Sequence, residues 1–209
     1  MLLQTNIEIL SYWHAGTGLG LGALADAITL KDEKYIPYLP GKTIKGLFRE
    51  AFNILEETNN IPSQTTHNLF GEATSPSDEE KDDKKEIIEA QPGRCFFSNA
   101  NVSKELRNFL LENENEKECL YDVISSTKLD EKGMAKNKSL RTIEVCMPVT
   151  LSALIDIKDG DSKTFEYFQK ASGLIRSLGS HRHRGLGRCK VTVEREIQSE
   201  EYDYEYKKL

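Results

Sequence analysis

Two amphipathic segments, each bracketed by strand-like stretches, constrain this chain more than any other feature. In residues 43–57, Ile44, Leu47, Phe48, Ala51 and Leu55 recur at helical spacing and define one apolar face. Pro40-Gly41 turns the chain just before them, and Thr43 is the predicted N-cap. In residues 161–178, Phe165, Phe168, Ala171, Leu174 and Ile175 define a second such face, which stops at Gly179. Strand patterns occupy 2–13, 94–98, 141–157 and 188–194, with shorter extended pieces at 27–31 and 35–39. Pro148 marks an edge or a bulge within 141–157. This order predicts an α+β fold, with a ferredoxin-like (RRM-like) βαββαβ core, a protruding hairpin and insertions.

Several function classes fall away on composition. A chain of 209 residues suits one domain. Its apolar runs are too short to span a bilayer, which takes roughly 18 residues, and MLLQTNIEIL lacks the features of a signal peptide. A cytoplasmic protein without membrane partners is expected. Cys95, Cys119, Cys146 and Cys189 have no metal-finger spacing and read as reduced thiols, mostly packing residues.

The net charge of −6 argues against nucleic acid until it is mapped. Residues 78–89 carry −4, residues 112–118 carry −3 and residues 194–209 carry −3, so the remainder is +4. Basic residues also cluster: Lys42, Lys45 and Arg49 in one stretch, and Arg182, Arg184, Arg188 and Lys190 in another. Local patches of this kind, not the global balance, create a phosphate-binding field.

Three segments carry the chemistry. In YIPYLPGKTIKGLFR (35–49), Lys42, Thr43 and Lys45 sit at a helix N-terminus, whose free N–H groups and positive dipole end seat a phosphate. An ordinary helix start with solvated lysines fits the same spacing. In GLIRSLGSHRHRGLGRCKV (173–191), Gly179, Gly185 and Gly187 bracket His181, Arg182, His183 and Arg184, so that backbone and basic side chains can follow a phosphate chain. There is no Walker GK[ST] here, and a basic surface turn is the competing reading. In 14–22, HAGTGLGLG, four glycines mark a loop of wide backbone freedom. Residues 121–140 are lysine-rich around Gly133 and read as a protruding hairpin, and 58–92 read as a partly disordered insertion anchored by Leu69 and Phe70.

Taken together, these motifs resemble the RAMP superfamily, in particular the backbone subunits of type III CRISPR effector complexes (Csm and Cmr). IPYLPGKTIKGLFREAF resembles the family's IPGSSLKGxxR signature, with Lys42-Thr43 in place of Ser-Ser. SHRHRGLGRCKV resembles its carboxy-terminal glycine-rich loop, and HAGTGLGLGALADAITLKD its amino-terminal loop. NLFG and PGRCFFSNANV resemble its LFG element and following strand, and STKLDEKGMAKNKSLRTIEVCMP its thumb hairpin with a Leu-Arg-x-x-Glu element.

Length suits a single domain over 1–209, which the resemblance covers except for residues 72–92 and 195–209. It comprises a palm core (1–57, 93–100, 141–194), a disordered-type insertion (58–92), a thumb or arm region (101–140) and an acidic tail (195–209). The resemblance implies a subunit that binds guide (CRISPR) RNA, kinks the guide–target duplex and cleaves target RNA, beside copies of itself and other effector subunits. The RNA contacts would be His14, Lys42, Thr43, Lys45, Arg49, Lys128, Lys138, Arg141, His181, Arg182, His183 and Arg184. The catalytic carboxylate would be Asp26, which would also hold Mg²⁺; on its local sequence alone, Asp26 reads as a loop-capping Asx turn. A non-cleaving structural or capping paralogue and a histidine-dependent guide-RNA-processing endoribonuclease are the alternatives.

Overall fold

The computed structural model describes residues 1–18, 25–72 and 92–196. The charged stretch 78–89 and the tail from residue 197 lie outside the described residues, as do Gly20 and Gly22. Strand β1 (Leu2–Ile9) alternates, with Leu3, Thr5, Ile7 and Ile9 buried. It lies centrally, antiparallel to both β6 (Thr150–Ile157) and β7 (Cys189–Arg195), with Ile7 opposite Leu151 on one side and Val191 on the other. The edge strands β2 (Cys95–Phe97) and β3 (Asn101–Val102) both pair with β6. The order β2-β6-β1-β7 is that of a ferredoxin-like sheet, as the sequence predicts.

Helices α1 (Gly41–Glu57) and α4 (Ser162–Leu174) cover one face of this sheet. Between them lies an aromatic cluster. Phe168 has its ring centroid 4.9 Å from Phe52 and 5.3 Å from Phe48, and Phe52 lies 5.1 Å from Phe70 of α2 (Thr65–Phe70). Removing one such ring costs about 3–5 kcal/mol. Leu174, predicted inward, is exposed, because α4 ends there and the chain leaves in an extended conformation at Ile175.

Two local expectations are corrected. Helix α1 begins at Gly41 with Pro40 as N-cap, so Thr43 lies inside the first turn and does not cap it. The Gly41 amide donates instead to Asn99 Oδ1 at 2.9 Å. A Cβ on Gly41 would sit 2.2 Å from the Phe97 carbonyl oxygen, so only glycine lets α1 start this close to β2. The stretch 141–157, read as one strand, is two. Strand β5 (Arg141–Cys146) pairs with β4 (Tyr121–Ser126) in a separate hairpin, and the chain changes sheets through Met147–Val149, where Pro148 has no N–H to continue a ladder.

Ahead of the hairpin, Ser103 caps α3 (Lys104–Glu112) by accepting from the Leu106 amide. Cys95, Cys146 and Cys189 are buried packing residues whose thiols burial pushes up to about 12, 12 and 11. Cys119 is exposed. Among the described residues, no helix is long and apolar enough to cross a membrane.

Candidate nucleic-acid interface

The uncovered face of the sheet is polar. Gln4, Asn6 and Glu8 of β1 stand beside Ser152 of β6 and Thr192 and Lys190 of β7. Phe96 on an edge strand is the exposed aromatic of this sheet. Sheets that read single-stranded RNA do so by stacking bases on aromatic side chains, and this face has no such platform in its centre. The basic and glycine-rich segments gather elsewhere, at one end of the fold.

That gathering is set by backbone bonds. The Ser180 amide donates to His14 O at 2.9 Å, and the Gly187 amide donates to Tyr12 O at 2.7 Å. Gly179 (φ 75°) and Gly187 (φ 69°) permit this approach. A Cβ would meet His14 O at 2.4 Å from Gly179, and Leu178 O at 1.9 Å from Gly187. The two glycine-rich segments, more than 150 residues apart in sequence, are thereby laid side by side. With the first half of α1 they border an open cleft of about 410 Å³. The amino-terminal loop gives it His14, Ala15 and Gly16; α1 gives Thr43, Gly46, Leu47 and Glu50; the carboxy-terminal loop gives Gly179, Ser180 and Arg182.

The predicted RNA contacts divide by place. His14 is buried, with Nδ1 2.6 Å from Glu144 O, so Nδ1 carries the hydrogen and Nε2 is the nitrogen left beside Gly16 in the cleft wall. His181 packs its ring edge-on to that of His14, centroids 6.4 Å apart, and its Nδ1 lies 3.1 Å from Ser180 Oγ. Arg182 approaches Glu50 at 3.5 Å. His183 and Arg184 share its short 3-10 turn, exposed. Thr43 lines the cleft, its sequence neighbour Lys42 is exposed, and Lys45 is half-buried near Cys95.

Arg49 faces another duty. Its Nη2 donates to the carbonyls of Phe70 (2.7 Å) and Gly71 (3.0 Å), tying α1 to the end of α2. This accounts structurally for the Leu-Phe-Gly element and gives Arg49 Nη2 a role within the fold. Lys128, Lys138 and Arg141 are exposed on the hairpin, away from the cleft lining.

Asp26 also sits at the hairpin. Its amide donates to Thr142 O (2.8 Å), and its Oδ2 accepts from the Thr142 amide (2.7 Å). Ala27 makes an isolated parallel bridge to Ile143 of β5, which sets Asp26 against Thr142, the neighbour of Arg141. Asp26 is exposed and outside the cleft lining.

Glu144 is a residue whose position the sequence reading missed. Its Oε2 accepts from Thr29 N (3.0 Å) and Thr29 Oγ1 (2.9 Å), and its Oε1 pairs with Lys31 at 2.7 Å. Burial raises its pKa, but Lys31 and Thr29 outweigh that and hold the carboxyl below the usual range. Lys31 lies over the Tyr121 ring at 3.9 Å, and Tyr121 donates to Tyr35 O at 2.7 Å. Glu144 therefore fastens the amino-terminal loop to the base of the hairpin. The Leu-Arg-x-x-Glu element contained the signal: an acid directly before the buried pair Val145-Cys146 needs a partner.

The RAMP superfamily model matches residues 6–190. No curated protein matches the sequence. Among solved structures, a chain of the type III-B Cmr-β complex bound to cognate target RNA, determined by cryo-EM, has a similar fold. Its TM-score is 0.62 at 11% identity, over 92% of this chain and 97% of that one. A chain of the apo Cmr-β complex gives a TM-score of 0.60 at 11% identity over the same shares.

Proposed function

This chain belongs to the RAMP superfamily, and from that premise we propose that it is a guide-RNA-binding backbone subunit of a type III CRISPR interference complex, cleaving target RNA in the cytoplasm. The observation that carries the proposal is the cleft where both glycine-rich segments and the start of α1 meet, on segments that also carry exposed Lys42, His183 and Arg184. Backbone and cations there would hold the guide by its phosphates, irrespective of sequence. The hairpin, with Lys128, Lys138 and Arg141, would kink the guide–target duplex. Copies of the chain and other effector subunits would extend the array along the guide.

Cleavage would follow from flipping a target nucleotide at the kink. Its 2′-oxygen attacks the adjacent phosphorus, the 2′-hydroxyl proton leaves, the P–O5′ bond breaks, and a proton is taken up by the departing 5′-oxygen. Alignment of these atoms is a positioning effect. Asp26 is held by Thr142 through Oδ2, which leaves Oδ1 to the reacting strand as proton acceptor or metal ligand.

No group of three or more metal-ligating side chains occurs among the described residues. Asp26 by itself fits Mg²⁺ only in a site completed by substrate phosphate oxygens, as is common for this ion. Bound there, Mg²⁺ would supply charge stabilisation at the scissile phosphate.

The test is Asp26→Asn in the assembled complex. It keeps the Thr142 bond and removes the charge, so target cleavage should vanish while guide and target binding persist. Retained cleavage would make Asp26 a loop organiser, the role that the Thr142 bond favours, whereas a wild-type complex that binds target without cutting it would leave the non-cleaving reading. The pairing of His14 with His181 favours the third reading. Cleavage of precursor guide lost in His181→Ala, with Asp26→Asn active, would place the chain there.

A further inference from the structure

Glu50 contradicts a simple phosphate seat. It is the one acid lining the cleft among the described residues. Thr43, Gly46, Leu47 and Glu50 follow at helical spacing on α1 and present one face to the cleft. Arg182, the cation lining the cleft, lies 3.5 Å from the Glu50 carboxylate, so the two offset each other. A carboxylate only accepts hydrogen bonds, and a phosphodiester offers none to accept. Beside a bare phosphate chain Glu50 would only repel. The donor on an RNA strand's sugar–phosphate backbone is the ribose 2′-hydroxyl, which DNA lacks.

We propose that Glu50, positioned by Arg182, accepts a hydrogen bond from a ribose 2′-hydroxyl and makes the cleft selective for RNA over DNA. The inference rests on the RNA-binding reading above. The cleft volume of about 410 Å³ suits one nucleoside. Leu30 and Leu47 supply apolar wall, and the hydroxyls of Thr43 and Ser180 supply further polar contacts. Phosphates are held outside it, by exposed Lys42 and Arg184. A site built for a hydroxyl rejects the analogue without one because its own polar group is then left unpaired.

The experiment compares an oligouridylate, an oligodeoxyuridylate and a 2′-O-methyl oligouridylate on the full chain at fixed salt, by fluorescence anisotropy. These share one base, so base donors cancel in the ratios. Wild type should bind the ribose form at least about tenfold more tightly than either analogue, the low end for a hydrogen bond to a charged group. Glu50→Ala should abolish that preference by weakening the ribose form alone. Glu50→Gln, which keeps an accepting oxygen, should retain part of it. Glu50 is mostly exposed, so both variants should melt like wild type. A Glu50→Ala change that shifts ribose and deoxyribose forms by the same factor overturns the inference, since Glu50 would then touch a base or act as a plain electrostatic brake. Wild type that binds all three equally overturns it too, while the RNA-binding reading stands. Wild type that binds none sinks that reading and the inference with it.

Discussion

Replacing Arg49 by Ala should weaken the fold and leave RNA binding unchanged, the reverse of what its place in a basic cluster suggests. The guanidinium bonds two carbonyls at the carboxy-terminal end of α2, where the helix leaves acceptors unpaired and carries partial negative charge. Phe70, which supplies one carbonyl, is 1% exposed, so water replaces the lost donor poorly. Hydrogen bonds to charged groups contribute about 1.5–3 kcal/mol each, and Arg49 is only half-buried. Discounting for that exposure, the pair should account for about 2–3 kcal/mol. For a chain of this size each kcal/mol moves the melting midpoint by about 2–4 °C, so Arg49→Ala should melt about 4–12 °C lower. Urea unfolding with an unchanged m-value would report the same loss independently. RNA titrations across a salt series would show the wild-type slope. A variant that melts like wild type but loses about 0.7 from that slope would refute the reasoning and return Arg49 to the RNA surface.

Other perturbations separate the remaining roles. The double variant Lys42→Ala/Arg184→Ala should lower the log–log salt slope of RNA binding by about 0.7 per contact, uniformly across sequences, and an unchanged slope would remove both from the interface. Gly187→Ala should cost at least about 2 kcal/mol in urea unfolding, since its Cβ meets a backbone carbonyl, whereas Gly185→Ala, at φ 83° in open space, should cost about 1 kcal/mol. Acid should destabilise the chain through Glu144 and Asp32. Burial raises both pKa values, but Lys31 and Thr29 at the first, and the Ile36 amide and Arg107 at the second, hold both carboxyls low. The folded form therefore binds fewer protons than the unfolded one. Stability is fully present above the unfolded pKa values, about 4, and falls as pH drops through the folded ones. Urea midpoints between about pH 3 and 6 should show this fall, and Glu144→Gln should flatten it.

The sequence by itself determined the elements and their class. Leu3, Ile7 and Ile9 alternate, and Ile44, Phe48, Ala51 and Leu55 recur at helical spacing, because one buried face imposes its period on neighbours a few residues apart. Gly179 and Gly187 were legible for a similar reason: a left-handed turn is a local demand that glycine meets. Their use was not legible. That Gly179 lies against His14, that Glu144 gathers Thr29 and Lys31, and that Arg49 bonds Phe70 all depend on residues about 20 to 165 positions apart. The division of 141–157 into two sheets is of the same kind, since either half alternates correctly and only the partner strands differ. Glu50 stood in plain sight on α1, one face with Thr43, yet an acid on a helix surface is ordinary until other segments build a cleft beside it. Periodicity records which way a side chain points, whereas the choice of partner is made by long-range packing. Tertiary structure alone therefore decided which of the basic and acidic residues line the cleft and which tie the fold together.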